Sequence, residues 1–279
     1  MAAPSTTDPV KHYNFVADAW RYLLGEDLHY GYFERPDTPL AEATAALTGL
    51  MLRHADLSPG VRVLDVGCGR GHPAVQMAER YGCTVLGIST SSVCVERANQ
   101  RAVQRGVAEL ARFEVRDGMD TQLAAGSFDR IWVMEASHLM PAKDRLLRET
   151  ARLLKPGGKL ILCDIMLRRP LQFPEVLERR ADLQTLDAVF GKATMLEMAA
   201  YARLAEQAGY DVAAQLDISA EVQPTFDRWR ENADTCRNEV ESLIGPAALR
   251  QFRASAGILS RFWAEGWLGY GLLEAKLKA

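Results

Sequence analysis

Long apolar runs, paired cysteines and dense basic stretches are all missing from this sequence of 279 residues. Without a run of about 18 apolar residues, no transmembrane helix is expected. The five cysteines are odd in number and have neither a C-x-x-C nor a His-paired spacing, which argues against a zinc site and is typical of reduced thiols. The net charge is only −3, and no run of Lys and Arg is dense enough for a phosphate backbone, so we expect no nucleic-acid partner.

The amino-terminal residues also lack a targeting signal. The segment from Met1 to Pro9 has neither a charged leader nor an apolar region. Together with the reduced thiols, this predicts a cytoplasmic protein with no membrane partner. At 48% hydrophobic and 25% charged residues, the composition is that of an ordinary globular protein, which excludes disorder as the main state.

Short β-branched runs alternate with amphipathic helical runs between Val61 and Leu167. This alternation is typical of a parallel sheet covered by helices on both faces. Strands are predicted at Val61–Val66, Thr84–Ile88, Ala111–Arg116, Phe128–Met134, Lys159–Asp164, Tyr210–Asp217 and Gly266–Lys278. Helices are predicted at Pro73–Tyr81, Ser91–Arg105, Ala142–Leu154 and Phe173–Ala208, with more helix in residues 9–56 and 219–265.

The most informative stretch is the glycine loop that follows the first predicted strand. Asp65 closes an apolar run and is followed by Gly67, Gly69 and Gly71. Glycine lets a backbone approach a ligand closely and adopt positive φ. The spacing matches neither the dinucleotide pattern G-x-G-x-x-G nor the nucleoside-triphosphate pattern G-x-x-x-x-G-K-[ST]. It resembles motif I of the class I S-adenosylmethionine-dependent methyltransferases, and this implies S-adenosyl-L-methionine as cofactor, held by Asp65, Gly67, Cys68 and Gly69.

The residues after the second strand predict the ribose contact, because ligands of open α/β sheets bind at the carboxyl ends of the strands. Most class I methyltransferases place an acidic residue there, but this chain has Ile88, Ser89 and Ser91. The two hydroxyls can hydrogen-bond a ribose. Ser91 can equally well cap the next helix, so both interpretations stay open.

The third strand is followed by Asp117, Gly118 and Met119. The Asp117 carboxylate can accept from an adenine amino group, and Met119 can pack on the ring. The alternative is a surface Asp-Gly turn without a ligand.

The fourth and fifth strands end in the candidate catalytic residues. Glu135 and His138 follow the fourth strand, and Asp164 ends the fifth. If Asp164 faces His138, the carboxylate can orient the imidazole and leave its other nitrogen free to take a proton from an acceptor hydroxyl. A lone histidine in such a segment can also be purely structural, and its position at a strand end favours the catalytic interpretation.

Beyond motif I, the chain is similar to a group of bacterial natural-product methyltransferases that includes the rebeccamycin sugar 4′-O-methyltransferase and its relatives. The tocopherol methyltransferases share part of the same set of motifs. The matching segments are Gly25–Phe33, Val63–Ala74, Gly87–Ser91, Ser127–Trp132, Leu154–Gly158 and Asp217–Ser219. The resemblance implies His138 and Asp164 as the catalytic pair, although the second of two adjacent histidines is Leu139 here. It also implies that aromatic residues, among them Trp20 and Tyr30, close over the cofactor; packing within a cap helix is the alternative.

The expected fold class is therefore α/β, with a Rossmann-like seven-stranded methyltransferase sheet, helices on both faces, a helical N-terminal cap and a lid insertion. The expected divisions are a cap over residues 1–56, a cofactor-binding core over 57–167, cap helices and the sixth strand over 168–218, the lid over 219–265 and the last strand over 266–279.

The favoured activity is methyl transfer to a sugar or phenol hydroxyl of a small specialised metabolite in natural-product or antibiotic biosynthesis, with His138 as general base and no metal. The alternative is C-methylation of an aromatic or isoprenoid acceptor, including a prenyl diphosphate, which arginines of the insertion could bind. A third option is a cyclase or non-catalytic module descended from a methyltransferase. A homodimer is an open option for its assembly.

Overall fold

A computed structural model of the protein describes residues 18–278, which form two compact units. The sheet unit contains residues 48–165, 198–217 and 271–278, and the helical unit contains residues 18–47, 166–197 and 218–270. The predicted helical residues 9–17 lie outside the described range. No helix within that range is long and apolar enough to cross a bilayer.

A seven-stranded sheet in the order β3-β2-β1-β4-β5-β7-β6 confirms the predicted fold class. The β1–β2, β1–β4, β2–β3 and β4–β5 pairs are parallel, and β6 pairs antiparallel with β7. This topology brings the carboxyl ends of β1, β2, β3, β4 and β5 to one edge of the sheet. The strands are β1 Arg62–Val66, β2 Thr84–Ser89, β3 Ala111–Val115, β4 Phe128–Met134, β5 Leu154–Leu167, β6 Tyr210–Asp217 and β7 Leu268–Leu277.

The fifth strand begins earlier and ends later than predicted, because it continues to Leu167 and Asp164 is not its last residue. Leu154 already pairs with Phe128, and the register shifts before Lys159 pairs with Arg130. Gly157 has a φ of 76°, which glycine adopts without strain. The Lys-Pro-Gly-Gly segment therefore ends the preceding helix, as predicted, and also forms an irregular first part of the strand.

Glycine and serine set the helix ends next to the sheet. The helix His72–Tyr81 has Gly71 and Gly82 in left-handed conformations at its two ends. The helix Ser92–Gln104 is capped by Ser91. The helix Lys143–Leu153 is amphipathic and buries Leu146, Leu147 and Leu153, which explains its place against the sheet.

The predicted long helix over Phe173–Ala208 is wrong, because the segment is broken twice. It forms helices Phe173–Glu178, Arg180–Phe190 and Met198–Gln207. Gly191, with a φ of 85°, ends the second of these, and residues 191–197 are not helical. The apolar spacing continues across the break, so periodicity alone could not reveal it.

The helical unit is built around aromatic side chains. Residues 18–24 are helical, as are Ser219–Val222, Thr225–Thr235 and Arg237–Ala264, in agreement with the helical prediction for the insertion. The last helix breaks at Gly245, whose φ is 83°, just before Pro246. Eight aromatic side chains are in contact through their rings in this unit: Trp20, Tyr30, Phe190, Phe226, Trp229, Phe252, Trp263 and Tyr270.

Gly87 on β2 should tolerate no side chain. A Cβ there would lie 2.4 Å from Phe113 and 2.9 Å from the Cβ of Cys68. We expect Gly87→Ala to lower the free energy of unfolding by about 1–3 kcal/mol, the usual cost of overpacking. Gly49 lies in the helix Leu40–Ala55, and among the described residues a Cβ added there would meet only the Arg53 guanidinium, at 3.9 Å. Gly49→Ala should therefore be neutral or stabilise the protein by about 0.5–1 kcal/mol. Urea unfolding measures both changes, and equal effects would contradict the packing argument.

Candidate active site

Two backbone amides join the glycine loop to the second strand. The amides of Gly67 and Cys68 both donate to the Ile88 carbonyl, at 2.8 and 3.0 Å. Gly67 has a φ of 82°, and a Cβ there would lie 2.2 Å from the Cβ of Ala136. Glycine is therefore required at position 67, because the loops after β1 and β4 touch at this point.

Gly69 is the residue in this loop that fits a ligand-facing role. Its φ is 50°, and among the described residues no atom lies within 4 Å of the Cβ that another residue would add. At Gly71, in contrast, a Cβ would lie 2.7 Å from Phe113 and 2.8 Å from Ala98. The three glycines thus have different roles. Gly67 and Gly71 are needed for packing, whereas Gly69 presents a bare backbone with room beside it for a ligand.

Asp65 is a buried carboxylate at the end of β1. It is 2% exposed, and in the described part of the chain its Oδ2 has no hydrogen-bond partner. Burial raises the pKa of Asp65 to about 7. Its register neighbour Trp132 on β4 also has an indole Nε1 without a partner among the described residues. An acceptor of this kind beside the glycine loop suits a cationic ligand group such as an ammonium.

Ser91 caps a helix, which was one of its two predicted roles. Its Oγ accepts from the Cys94 amide at 3.2 Å, and the Ser91 amide donates to the Ser89 Oγ at 3.2 Å. Ser91 is buried and Ser89 is half-buried, next to the buried Ile88. The ribose contact predicted for the two hydroxyls stays a prediction.

The residues after β3 form a turn. The Asp117 side chain accepts from the Met119 amide at 2.8 Å and is exposed. A Cβ on Gly118 would lie 2.6 Å from Val66 and 3.1 Å from Met140, so this turn packs against the loops after β1 and β4. The turn is therefore present, and the adenine contact of Asp117 and Met119 stays a prediction.

Four donors surround the Asp164 carboxylate, which is 0% exposed. Oδ1 accepts from the Ile165 amide at 2.8 Å and lies 2.7 Å from Nδ1 of His138. Oδ2 accepts from the Ser137 hydroxyl at 2.5 Å and from the His138 amide at 2.9 Å. The Ser137 Oγ also lies 2.8 Å from the Tyr201 hydroxyl. The predicted juxtaposition of His138 and Asp164 is thus present in the structure.

Charge and hydrogen bonds keep this carboxylate ionised. Burial acts to raise the pKa of Asp164, but the His138 charge and the hydrogen bonds from His138 and Ser137 outweigh it and hold the pKa below its ordinary value. Because an ionised carboxylate only accepts, Nδ1 of His138 must carry the proton that joins the two groups. In the neutral ring, Nε2 then has the free lone pair.

Lys143 is a second buried charge beside this pair. It is 3% exposed and its ammonium donates to the Met140 carbonyl. Burial lowers the pKa of Lys143 to about 8, although the Asp164 charge acts in the opposite direction. Sequence reasoning missed this residue, because a lysine at the start of a helix is usually exposed.

Glu135 adopts a backbone conformation that is rare outside glycine. Its φ is 49°, and its amide donates to the Cys163 carbonyl at 2.8 Å. Non-glycine residues at positive φ occur often at functional sites, where the surrounding structure holds the strain. This conformation fits a functional position for Glu135 beside His138. The role of Glu135 in the site stays a prediction.

Trp20 and Tyr30 lie in the aromatic cluster of the helical unit. Trp20 is 6% exposed with its ring centroid 6.1 Å from Phe190, and Tyr30 is 8% exposed with its centroid 4.8 Å from Trp229. These are packing contacts within that unit, which is the alternative role foreseen for them. A contact of either ring with the cofactor stays a prediction.

The arginines of the insertion are mostly paired with carboxylates of the helical unit. Arg228 lies 2.7 Å from Glu231, and Arg253 lies 3.0 Å from Asp234. Arg230, Arg237 and Arg261 pair with Asp227, Asp234 and Asp182. A diphosphate would have to compete with these carboxylates for the same guanidinium groups.

Sequence reasoning missed Ser137. The helical spacing of Met195, Met198, Tyr201 and Leu204 predicts an apolar stripe that is more typical of a core than of a pocket. Tyr201 is indeed buried in the helix Met198–Gln207, whereas Met195 precedes that helix. The polar tip of a tyrosine inside an apolar stripe was the available signal, because a buried phenol needs a partner.

A family model described as mycolic acid cyclopropane synthetase matches residues 2–257. The chain belongs to this family. It is an S-adenosylmethionine-dependent methyltransferase, which confirms the predicted enzyme class and cofactor.

Three known proteins are similar to this chain in sequence or in fold. The 27-O-demethylrifamycin SV methyltransferase of Amycolatopsis mediterranei (strain S699) is 34% identical over 276 residues, which cover 99% of each chain. The crystal structure of the [4+2]-cyclase SpnF has a TM-score of 0.84 at 26% identity, covering 100% of this chain and 99% of that one. Mycolic acid cyclopropane synthase CmaA1, solved with SAH and CTAB, has a TM-score of 0.87 at 21% identity over 97% and 98% of the two chains, and this likeness shows the fold alone.

Asp65 should make stability fall as the pH rises. Burial raises the pKa of Asp65 to about 7. Its contribution to the free energy of unfolding is therefore fully present below its ordinary pKa of about 4 and is lost as the pH rises through 7. Relative to the wild type, cofactor-free Asp65→Asn should therefore gain up to about 4 kcal/mol in free energy of unfolding between pH 4 and 8.

Urea unfolding across this pH range measures the difference, and Asp129→Asn is the control. Burial acts to raise the pKa of Asp129, but hydrogen bonds from Lys155 and Arg62 lower it overall, so its stabilising contribution is present above its ordinary pKa of about 4 and the control should keep a nearly constant difference from the wild type between pH 4 and 8. A pH-independent difference for Asp65→Asn would contradict the assignment.

Proposed function

We propose that this protein transfers a methyl group to a hydroxyl of a small specialised metabolite, with His138 as the general base. The observation that carries the proposal is the buried Asp164 carboxylate, which holds Nδ1 of His138 at 2.7 Å. The His138 side chain is 14% exposed, so a small part of the ring is open to approach. A relative whose name specifies a 27-O-demethyl compound supports oxygen as the acceptor atom.

The residues that would hold the cofactor lie at the ends of β1, β2 and β3. Gly69 offers bare backbone, Asp65 offers an unpartnered carboxylate oxygen for the ammonium, and Ser89 offers a hydroxyl for the ribose. Asp117 and Met119 would bind the adenine. When bound, S-adenosylmethionine supplies an electrophilic methyl group on a sulfonium.

His138 would act on the acceptor. Its Nε2 would accept the proton of the acceptor hydroxyl, and Asp164 would stabilise the imidazolium that forms. A base placed in this way is worth roughly 10²–10⁴ in rate. Holding the acceptor oxygen in line with the methyl group contributes more, up to about 7–11 kcal/mol in well-oriented cases.

C-methylation of a prenyl diphosphate has weaker support. A carbon nucleophile needs no strong base before attack, and a base is required only when the methylated cation afterwards loses its proton, so the four donors on Asp164 are explained less directly by that reaction. The paired arginines of the insertion also leave few free cations for a diphosphate in the described part of that segment. Methyl transfer to oxygen therefore explains more of the observed features of the site than methyl transfer to carbon does.

Removing the base tests the acceptor chemistry. His138→Ala should lower kcat by roughly 10²–10⁴ without loss of cofactor affinity, measured as S-adenosylhomocysteine formed with a panel of hydroxylated aromatics and glycosides. His54→Ala is the matched control, because His54 Nδ1 lies 2.7 Å from the Glu274 carboxylate in the same unit. Retention of wild-type kcat by His138→Ala would reject the general base and favour a carbon acceptor.

Filling the space beside Gly69 tests the cofactor loop. Gly69→Ala should weaken S-adenosylhomocysteine binding by roughly tenfold or more, because a methyl group would project from the bare backbone. Gly106→Ala is the control: Gly106 has a φ of 72° and, among described residues, no atom within 4 Å of an added Cβ. Both variants should share the cost of positive φ, about 1–2 kcal/mol. Calorimetric titration decides the matter, and equal affinities would contradict a ligand at Gly69.

A further inference from the structure

Tyr201 and Ser137 form a hydrogen-bonded pair behind the His138–Asp164 pair. Both are 0% exposed, and they lie on different elements: Ser137 in the loop after β4 and Tyr201 in the helix Met198–Gln207. The Tyr201 hydroxyl lies 2.8 Å from the Ser137 Oγ, which lies 2.5 Å from Asp164 Oδ2. The contacts therefore run without interruption from this helix to the imidazole.

The direction of these hydrogen bonds follows from the charge on Asp164. A serine hydroxyl has one proton, and an ionised carboxylate can only accept. The Ser137 proton is therefore committed to Asp164, and Tyr201 must donate to Ser137. Burial raises the pKa of Tyr201, so its phenol keeps the proton that this bond requires.

The pair completes the set of donors on Asp164. A carboxylate has about four acceptor positions, and here Ser137, Ile165 and the two nitrogens of His138 fill them. Three of these donors belong to backbone or to the imidazole itself. The Ser137 hydroxyl is thus the side chain that fixes the rotation of the carboxylate independently of His138, and Tyr201 fixes Ser137.

We propose that Tyr201 and Ser137 are positioning residues for His138, which hold the Asp164 carboxylate at the angle that keeps the proton on Nδ1 and leaves Nε2 free. This inference rests on the proposed role of His138. Neither residue touches the reacting atoms, so each acts only through Asp164. Lys143 is the other charged group beside this carboxylate, and its hydrogen bond goes to the Met140 carbonyl.

Tyr210 provides a matched control for a purely structural effect. It is also 0% exposed, and its hydroxyl donates to the Thr150 Oγ1 at 2.9 Å. Tyr201→Phe and Tyr210→Phe each remove one buried hydroxyl that is bonded to a serine or threonine. Their losses in thermal stability should therefore be similar.

The kinetic test is a double-mutant cycle. We expect Tyr201→Phe to lower kcat roughly fivefold and Ser137→Ala roughly 30-fold, with cofactor KM unchanged, while Tyr210→Phe keeps wild-type kcat. Because Tyr201 acts through Ser137, the double variant should be no slower than Ser137→Ala alone. Independent, multiplicative effects would overturn the pathway, as would equal effects of the two Tyr→Phe changes.

A spectroscopic test separates this inference from the proposed reaction. Nitrogen shifts of ¹⁵N-labelled histidine report which ring nitrogen carries the proton, and the signal of His138 is the one lost in His138→Ala. At a pH where the ring is neutral, the wild type and Tyr210→Phe should show the Nδ1–H form, and Ser137→Ala should show a measurable fraction of the Nε2–H form, with Tyr201→Phe between them. Identical tautomer ratios in all variants would overturn the positioning role, even if His138→Ala shows that methyl transfer needs the base.

Discussion

A carboxylate that is closed off from water, Asp164, constrains the whole end of the sheet near the candidate active site. Such a charge is tolerated in a protein interior only when hydrogen-bond donors replace its hydration. The structure supplies them from its own backbone, from the loop after β4 and from His138. The need for donors to Asp164 therefore sets the conformation of the loop after β4 and the orientation of the imidazole. It also sets the position of the helix that carries Tyr201.

Asp65 meets the same problem differently. It lies near the end of β1, which β4 separates from β5, and it is also buried, yet in the described residues one of its oxygens has no donor, and burial raises its pKa to about 7. The Asp164 carboxylate thus has all its hydrogen-bond acceptor positions filled by the protein. Among the described residues, the Asp65 carboxylate has an oxygen that can still accept a hydrogen bond. The first arrangement suits a group that must stay fixed during a reaction, and the second suits one that awaits a charged partner.

The glycine loop and the strand ends could be predicted from the sequence, because an apolar run that ends in Asp65 and leads into Gly67 and Gly69 has few structural solutions. The His138–Asp164 contact followed from the rule that parallel strands end at one edge. The role of Ser91 could not be decided, since a capping serine and a ligand-binding serine occupy the same position in sequence. Tyr201 lies 64 residues from Ser137, and only tertiary packing brings a distant helix onto that hydroxyl.

The close approach of Gly67 to Ala136 has a consequence for any redesign of this enzyme. Ala136 lies two residues before His138 and would stand 2.2 Å from a Cβ at position 67. The glycine loop after β1 and the loop that carries His138 therefore share a single steric boundary. Larger side chains at either position would displace both at once, so attempts to broaden substrate range should begin elsewhere and leave this junction as it is.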